Sequence, residues 1–269
     1  MLVQDFLQNS AARLPHKVAL VCGEKRFTYA RLDEMSNRLA NALIEKDVRR
    51  GDRVALYLDN SLEAVVAIFA VLKAGGVVVA VSRGAKHDKL VAILNDCSAA
   101  AVILDTAALE QGLRERLPLH ASSLRAIVVC GDSPWPCGPI LHDFHAIQSS
   151  ASPRTPQSRG IDLDLACLIY TSGTTGESKG VMCDHGNMVF AASAIARYLK
   201  NTERDVVLSV LPLAFSYGLY QLLATLCAGG TLVLEESFAF PDLVLRKMVQ
   251  ERVTGFAAVP TIYARLLCM

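Results

Sequence analysis

Apolar and polar residues along this chain form blocks of two lengths, which predict strands and helices in alternation. Short apolar runs such as Val18–Cys22 and Ala101–Asp105 have the length of buried strands. Longer segments repeat their apolar residues at helical spacing, and the segment that follows Thr28, a predicted N-cap, is one of them. It places five apolar residues on one helix face: Leu32, Met35, Leu39, Ala42 and Leu43.

The middle of the first half predicts a strand–helix–strand unit. Arg53–Leu58 is a predicted strand, and Asn60 or Ser61 is expected to cap a helix that runs to about Lys73. Two glycines end that helix, and Val77–Val81 is the next predicted strand. Such a unit implies parallel strands with a right-handed crossover. Because the alternation continues to the end of the chain, the predicted fold class is α/β.

A segment rich in Ser, Pro and Arg, SSASPRTPQSRG, interrupts the alternation at residues 149–160. Its composition is typical of a linker. We therefore predict a first α/β lobe at residues 1–148 and a second α/β lobe at residues 161–269, which carries the loop described below.

Composition narrows the classes of function and of location. The chain has 269 residues, is 52% hydrophobic and has a net charge of +1, so no nucleic-acid partner is indicated. Its eight cysteines include no C-x-x-C pair and are typical of reduced thiols in a cytoplasmic protein. The longest apolar stretch, Ala64–Leu72, is too short to span a bilayer, and the N-terminus lacks the pattern of a signal peptide.

The string LIYTSGTTGESKGV, residues 168–181, is the strongest chemical signal in the chain. An apolar run at Leu165–Tyr170 predicts a buried strand, and residues 171–180 are predicted to form a loop after it. Glycines allow backbone N–H groups to approach an anion closely, hydroxyls donate hydrogen bonds, and a lysine adds positive charge. This combination at the end of a strand predicts a phosphate-binding loop.

The loop has three other interpretations. The P-loop pattern G-x-x-x-x-G-K-[ST] does not fit, because Lys179 is followed by Gly180 and lies three residues after Gly176. The dinucleotide pattern G-x-G-x-x-G does not fit either, since the loop contains no G-x-G. A mobile surface loop is the third interpretation, and the order of residues within the string counts against it.

The string YTSGTTGESKGV resembles the phosphate-binding signature of the adenylate-forming enzymes, a family of acyl-CoA synthetases, aryl-CoA ligases, luciferases and peptide-synthetase adenylation domains. This chain has Ser178 where the family commonly has proline. Further strings resemble other motifs of the family in the same order: FTYARLDEMSNRLANAL, LKAGGVVVAV, LPLAFSYG and GFAAVPTIYARLL. The resemblance therefore covers essentially the whole chain.

The resemblance implies an ATP-dependent reaction in which a carboxylic acid is joined to the α-phosphate and pyrophosphate is released. The acyl-adenylate would then usually pass to a thiol of CoA or of a carrier protein. Mg²⁺ would bridge the phosphates, with Thr175 as a candidate contact. The residues implied to bind the ATP phosphates are Thr171, Ser172, Gly173, Thr174, Thr175, Gly176 and Lys179.

The resemblance also implies a substrate pocket beside Phe215, Tyr217 and Gly218. Many acyl-CoA ligases have histidine at the position of Phe215, so the pocket wall here is apolar. No acidic residue stands where amino-acid-activating members carry aspartate, which favours a plain carboxylic acid. As an alternative, Phe215 and Tyr217 are ordinary core aromatics.

Three histidines are candidates for a functional role. His185 opens a predicted helix whose positive dipole end would lie near the phosphate loop, but capping or packing is the favoured role for its side chain. His142 and His145 have the spacing of two ligands on one helix face. With no further ligand in register, a surface pair is favoured over a metal site there.

Family members are longer than this chain, which ends shortly after the Val-Pro-Thr string. The family motif that contacts adenine, the ribose-binding aspartate and the C-terminal lid with its catalytic lysine have no counterpart here. We therefore expect an incomplete second lobe, no lid, no catalytic residue and an inactive chain when isolated. Two interpretations stay open: part of an acyl-activating ligase, or a truncated non-catalytic homologue that binds nucleotide or acts as an interaction module.

Overall fold

The computed structural model describes residues 1–132, 138–157, 160–172 and 178–268. The strands in this part of the chain are β1 (Val18–Cys22), β2 (Lys25–Thr28), β3 (Arg53–Tyr57), β4 (Val77–Ala80), β5 (Ala101–Asp105), β6 (Ala126–Cys130), β7 (Leu141–Asp143), β8 (Leu165–Ser172), β9 (Ser178–Asp184), β10 (Val206–Ser209), β11 (Thr231–Leu234) and β12 (Gly255–Phe256).

Helices alternate with these strands. In chain order they are α1 (Asp5–Arg13), α2 (Tyr29–Glu45), α3 (Leu62–Lys73), α4 (His87–Asp96), α5 (Thr106–Ala108), α6 (Arg114–His120), α7 (Phe144–Ser150), α8 (His185–Tyr198), α9 (Ser216–Ala228), α10 (Pro241–Gln250) and α11 (Pro260–Leu267), with a π-helical turn at Leu109–Leu113 between α5 and α6. The predicted α/β fold class is confirmed.

The described strands form two sheets. The larger has seven strands in the order β7-β6-β5-β3-β4-β8-β9, and all its neighbours are parallel except the antiparallel pair β8 and β9. The smaller has five strands in the order β12-β10-β11-β1-β2, in which only β1 and β2 run antiparallel. The predicted strand–helix–strand unit is the parallel pair β3 and β4, joined by α3.

Two helices begin at N-cap residues that the sequence predicts. The Thr28 hydroxyl accepts a hydrogen bond from the Arg31 N–H at the start of α2, as predicted. Ser61 accepts one from the Ala64 N–H at the start of α3, which settles the choice between Asn60 and Ser61. Each cap satisfies one of the backbone donors that a helix leaves free at its N-terminus.

Both faces of the larger sheet are buried, because side chains of a strand point alternately to its two faces. On β3, Val54 and Leu56 belong to a central cluster that also contains residues of β1, β11, α2, α3 and α9. Ala55 and Tyr57 point the other way, into an outer cluster with α4. The central cluster therefore joins the two sheets.

The two sheets do not coincide with the two predicted lobes. Strands β1 and β2 precede the predicted linker but pair with β11, and β8 follows it but pairs with β4. The segment 149–160 therefore separates two parts of the sequence, but each part contributes strands to both sheets. Part of it is held by α2: Arg38 donates to the Ala151 carbonyl at 2.7 Å, and Asn41 donates to the Ser152 and Arg154 carbonyls at 2.8 Å.

No helix within the described residues is long and apolar enough to cross a bilayer.

Candidate functional site

Two antiparallel strands, β8 and β9, pair on either side of the predicted phosphate loop. They are called the hairpin here, and their paired end at Ser172 and Ser178 is its open end, or tip. Strand β8 continues to Ser172 and β9 begins at Ser178, so strand pairing covers part of the segment that the sequence predicts as loop. Lys179 and Gly180 have weak strand propensity, but β8 provides hydrogen-bond partners for their backbone. The loop prediction was therefore too long at both ends.

Within the hairpin, Thr171 and Lys179 lie directly opposite each other and are both exposed. Directly opposed residues project from the same face of a sheet, so a hydroxyl and an ammonium group come together at the open end of the hairpin. Ser172 pairs with Ser178 through the backbone. The other predicted phosphate and metal positions lie outside the described residues: Gly173, Thr174, Thr175 and Gly176.

The hairpin has its open end at the carboxyl edge of the parallel strands. Strand β8 runs parallel to β4, with Ala80 paired to Ile169, so the two strands end at the same edge. Ligands of open α/β sheets bind in the crevice outside the carboxyl ends of the strands. Thr171 and Lys179 therefore stand where this class of sheet binds its ligands.

The start of α8 lies at the opposite end of the hairpin from the tip. Asp184 pairs with Leu165, the first residue of β8, and its side chain caps α8 by accepting from the Asn187 N–H at 2.6 Å. The predicted contribution of this helix dipole to the phosphate loop is therefore wrong. It failed because strand β9, which separates the tip from the helix, was not predicted.

His185 has a packing role, as favoured from the sequence. Only 3% of its surface is exposed, and its Nδ1 accepts a hydrogen bond from the Val3 N–H at 3.1 Å. Burial lowers the pKa of the imidazole, although nearby carboxylates, that of Asp164 first, oppose the shift. A neutral ring in this position ties α8 to the N-terminus of the chain.

A cavity of about 890 Å³ lies between the C-terminal part of α8, the start of α9 and the edge strand β12. Tyr217 lines it, and its side chain is 45% exposed. Phe215 immediately precedes α9 and is 48% exposed, but it is not one of the described residues that line this cavity. Of the three predicted pocket residues, Tyr217 is the one that meets the cavity.

Gly218 has a steric role. A Cβ atom at this position would lie 2.4 Å from the Pro212 carbonyl oxygen and 2.6 Å from that of Leu211. Both distances are shorter than atoms tolerate, so the first turn of α9 can pack against this segment only with glycine here. Gly218 is buried, and its close contact with the Leu211 and Pro212 carbonyls fixes the position of the first turn of α9.

Most of the cavity wall was not predicted. Tyr220 lies three residues after Tyr217 on α9, and this helical spacing was the one signal available in the sequence. The other rings come from distant parts of the chain and meet only in the folded structure. They are Tyr198, Phe256 and Tyr263.

Among the described residues, one carboxylate, that of Asp205, lines the cavity, and its oxygens already accept hydrogen bonds. The Thr202 N–H donates to Oδ2 at 2.7 Å, and the Thr254 hydroxyl donates to Oδ1 at 2.8 Å. These hydrogen bonds, that of the Thr202 backbone foremost, lower the pKa of Asp205. The group therefore closes a turn in the wall and remains ionised.

The two spaced histidines do not share a helix face. His142 lies in β7, whereas His145 lies in the first turn of α7, so the spacing that suggested two ligands on one face does not apply. That spacing brings two side chains onto one face only within a helix, and residues Leu141–Asp143 form a short strand instead. No group of three or more metal-ligating side chains occurs in the described part of the chain.

The chain matches the family model described as AMP-binding enzyme over residues 7–269. Tyrocidine synthase 2 of Brevibacillus parabrevis is 30% identical to it over 265 residues. That alignment covers 97% of this chain and 7% of the synthase, so the chain spans a small part of this relative.

Solved structures have the same fold. An anthranilate CoA ligase in complex with anthranoyl-AMP superposes with a TM-score of 0.90 at 26% identity, covering 100% of this chain and 52% of the ligase. A benzoate CoA ligase from Burkholderia xenovorans gives a TM-score of 0.86 at 26% identity, with 100% and 52% covered. The chain therefore spans about half the length of these ligases.

Proposed function

The chain belongs to the AMP-binding enzyme family, and from this premise we propose that it is part of an ATP-dependent ligase that activates a carboxylic acid. A carboxylate oxygen of the acid attacks the α-phosphorus of ATP, the bond to the β,γ-diphosphate breaks, and acyl-adenylate and pyrophosphate result. A thiol, of CoA or of a carrier protein, then attacks the acyl carbon and AMP leaves.

The opposed pair Thr171 and Lys179 is the observation that carries this proposal. Both reactants are anions that repel each other, so their approach requires cations and hydrogen-bond donors at fixed positions. Lys179 supplies a compact positive charge and Thr171 a hydroxyl donor at the open end of the hairpin. We assign them to the β- and γ-phosphates of ATP.

Mg²⁺ belongs to this proposal as the companion ion of the substrate ATP. Magnesium is usually held by substrate phosphates with one or two protein oxygens and not by an all-protein cage. The exposed Thr171 hydroxyl at the end of β8 is a described oxygen that fits that mode of binding. The bound ion would neutralise phosphate charge and hold the triphosphate in a defined shape.

The cavity beside α9 is our proposed site for the acid. Five aromatic rings of described residues line it: Tyr198, Tyr217, Tyr220, Phe256 and Tyr263. An α-ammonium group would need a carboxylate in the wall, but three hydrogen bonds from Thr202 and Thr254 occupy most of the roughly four acceptor sites of Asp205. The wall therefore favours an acid with a flat or apolar body and no α-ammonium group. The acids after which the two ligases are named, anthranilate and benzoate, are flat aromatic acids without an α-ammonium group.

Helix α9 connects the two proposed sites. Tyr217 and Tyr220 lie in the cavity wall, while Leu219 and Leu222 belong to the central cluster, together with Ile169 of β8. A close-packed core is hardly compressible, so elements packed against it keep their relative positions. The hairpin and the cavity are therefore held in a fixed relation, as a reaction between their two ligands requires.

Calorimetric titration of Mg-ATP against the wild-type chain and a Lys179→Ala variant tests the phosphate assignment. Loss of a charge-assisted contact of about 1.4 kcal/mol or more is expected to weaken ATP binding by about tenfold or more. Lys25→Ala is the matched control, because Lys25 is also an exposed lysine on a strand, and it should bind as the wild type does. No ATP binding by the wild type, or equal binding by the Lys179→Ala variant, would contradict the proposal.

The same titration addresses the acid site and the alternative function. With benzoate, phenylalanine and acetate as ligands, we expect benzoate to bind most tightly and a Tyr220→Ala variant to lose that preference. ATP binding without any acid binding would favour the other interpretation, a non-catalytic nucleotide-binding homologue.

A further inference from the structure

Tyr170 is the last residue of the apolar run in β8, and its side chain leaves the hairpin on the face opposite to Thr171 and Lys179. It pairs with Gly180, whereas Thr171 pairs with Lys179 one position nearer the tip. Successive residues of a strand point to opposite faces, so the two pairs occupy opposite sides of the hairpin. Tyr170 therefore lies directly behind the proposed phosphate-binding pair without touching its ligand face.

The ring of Tyr170 crosses the partner strand over Gly180. A Cβ atom at position 180 would lie 3.2 Å from Cζ of this ring and 3.5 Å from its hydroxyl oxygen. The first contact is tighter than most real Cβ contacts, so a side chain at position 180 would require the ring to shift by a few tenths of an ångström. The close approach of the Tyr170 ring therefore favours glycine at position 180, next to Lys179, independently of phosphate binding.

Beyond Gly180 the tyrosine reaches α4. Its hydroxyl donates a hydrogen bond to Oδ2 of Asp96, the last residue of that helix, at 2.5 Å. The acceptor is a carboxylate, and hydrogen bonds with an ionised partner are shorter and stronger than neutral ones. The partly buried ring also packs against the outer cluster of the sheet. One side chain therefore spans β8, β9 and α4.

Asp96 is a firm anchor because the chain around it is fixed. Leu90, Ile93 and Leu94 bury one face of α4 in the outer cluster. Immediately after Asp96, the Arg53 side chain of β3 donates to the Cys97 carbonyl at 2.6 Å. The end of α4 is thus tied both to the outer face of the sheet and to its central strand.

We propose that Tyr170 is a positioning residue that clamps the base of the β8–β9 hairpin to α4, through Gly180 and Asp96, and so holds Thr171 and Lys179 in place for a triphosphate. This inference rests on the proposed function for its ligand but not for its geometry. Among the described strands, β9 has β8 as its one neighbour. Without the clamp, this pairing would be the sheet contact that holds the end of β9 near Lys179.

Three variants test the clamp. Tyr170→Phe keeps the ring over Gly180 and removes the hydrogen bond, Asp96→Ala removes the acceptor, and the double variant removes both. Asp88→Ala is the matched control, because Asp88 is an exposed carboxylate at the other end of the same helix. The probes are Mg-ATP and inorganic tripolyphosphate, and thermal unfolding of each variant verifies that it folds.

We expect either single variant to weaken the binding of both probes about fivefold to tenfold, which is within the range of the net contribution of one hydrogen bond. The double variant should be no weaker than the singles, because all three break the same link. Asp88→Ala should bind as the wild type does. Unchanged affinity in both single variants, or effects that add in the double variant, would overturn the inference.

A second measurement needs no ligand and separates the two proposals. Amide hydrogen exchange at Thr171, Ser172 and Lys179 should be faster in Tyr170→Phe than in the wild type, with exchange in α7 unchanged. If the wild type binds neither probe, the proposed phosphate site fails while this exchange result still decides the clamp. Equal exchange rates in the wild type and Tyr170→Phe would sink the clamp even if ATP binds.

Discussion

Thr171 and Lys179 acquire their chemistry from their position, because neither residue type is unusual. A surface lysine is normally a solvated charge, and a surface threonine in a strand is normally a β-former. Here the register of the hairpin places the two side by side at the carboxyl edge of a parallel sheet. This placement is what makes a hydroxyl and an ammonium group into a candidate phosphate site.

His185 makes folding stability depend on pH. Its Nδ1 must stay unprotonated to accept the Val3 N–H, and burial lowers its pKa below the ordinary value. The unfolded chain binds a proton near pH 6.5, whereas the folded chain does so only at lower pH. Its contribution to stability is therefore complete above about pH 6.5 and is lost as the pH falls toward the lowered value.

We expect His185→Gln to flatten the dependence of the melting temperature on pH between pH 7 and pH 5. His142 also has a pKa lowered by burial, so part of the slope should remain. His16→Gln, at an exposed histidine, should keep the wild-type slope. Equal slopes for the wild type and His185→Gln would contradict this account of His185.

At the scale of the elements, an ion pair between Lys73 and Asp33 links helices α3 and α2. The Lys73 side chain on α3 is 1% exposed, and its Nζ donates to Oδ1 of Asp33 at 2.6 Å and to Oδ1 of Asn37 at 2.7 Å, both on α2. Burial lowers the pKa of Lys73, and Asp33 opposes that shift. An ammonium group in such a place is tolerated because its hydrogen bonds are satisfied.

Asp33→Ala should destabilise the fold by about 3 kcal/mol, because it leaves this buried ammonium group without its counter-charge. Adding Lys73→Met should recover most of the loss, since the double variant buries no charge. Glu34→Ala, on the same helix at the surface, should cost about 0.5–1 kcal/mol. Urea unfolding measures all three, and failure of Lys73→Met to rescue would show that the charge is not the cause.

Elements whose signals are local were predictable from the sequence. Strands β1 and β5 have the predicted limits, and the Thr28 and Ser61 caps were named, because each depends on a few neighbouring residues. Strand β9 was missed, because Lys179 and Gly180 are strand residues only through their partners in β8. The cavity wall was missed for a related reason: Tyr198, Phe256 and Tyr263 meet only after the chain has folded.

At the scale of the whole molecule, two sheets share one core and carry one proposed site each. The seven-stranded sheet presents the hairpin, and the cavity lies against the edge strand β12 of the five-stranded sheet. The central cluster contains residues of both sheets and of α9 between them. This arrangement gives an anionic nucleotide and a carboxylic acid separate places on a common rigid body.

Hydrogen exchange with and without Mg-ATP, followed by mass spectrometry, tests the central claim most directly, because it reports where on the chain the nucleotide acts. We predict slower exchange on addition of ATP in peptides that cover residues 168–182, no change in α7, and loss of the effect in Lys179→Ala. ATP binding that leaves the exchange of residues 168–182 unchanged would contradict the assignment of the hairpin as the phosphate site.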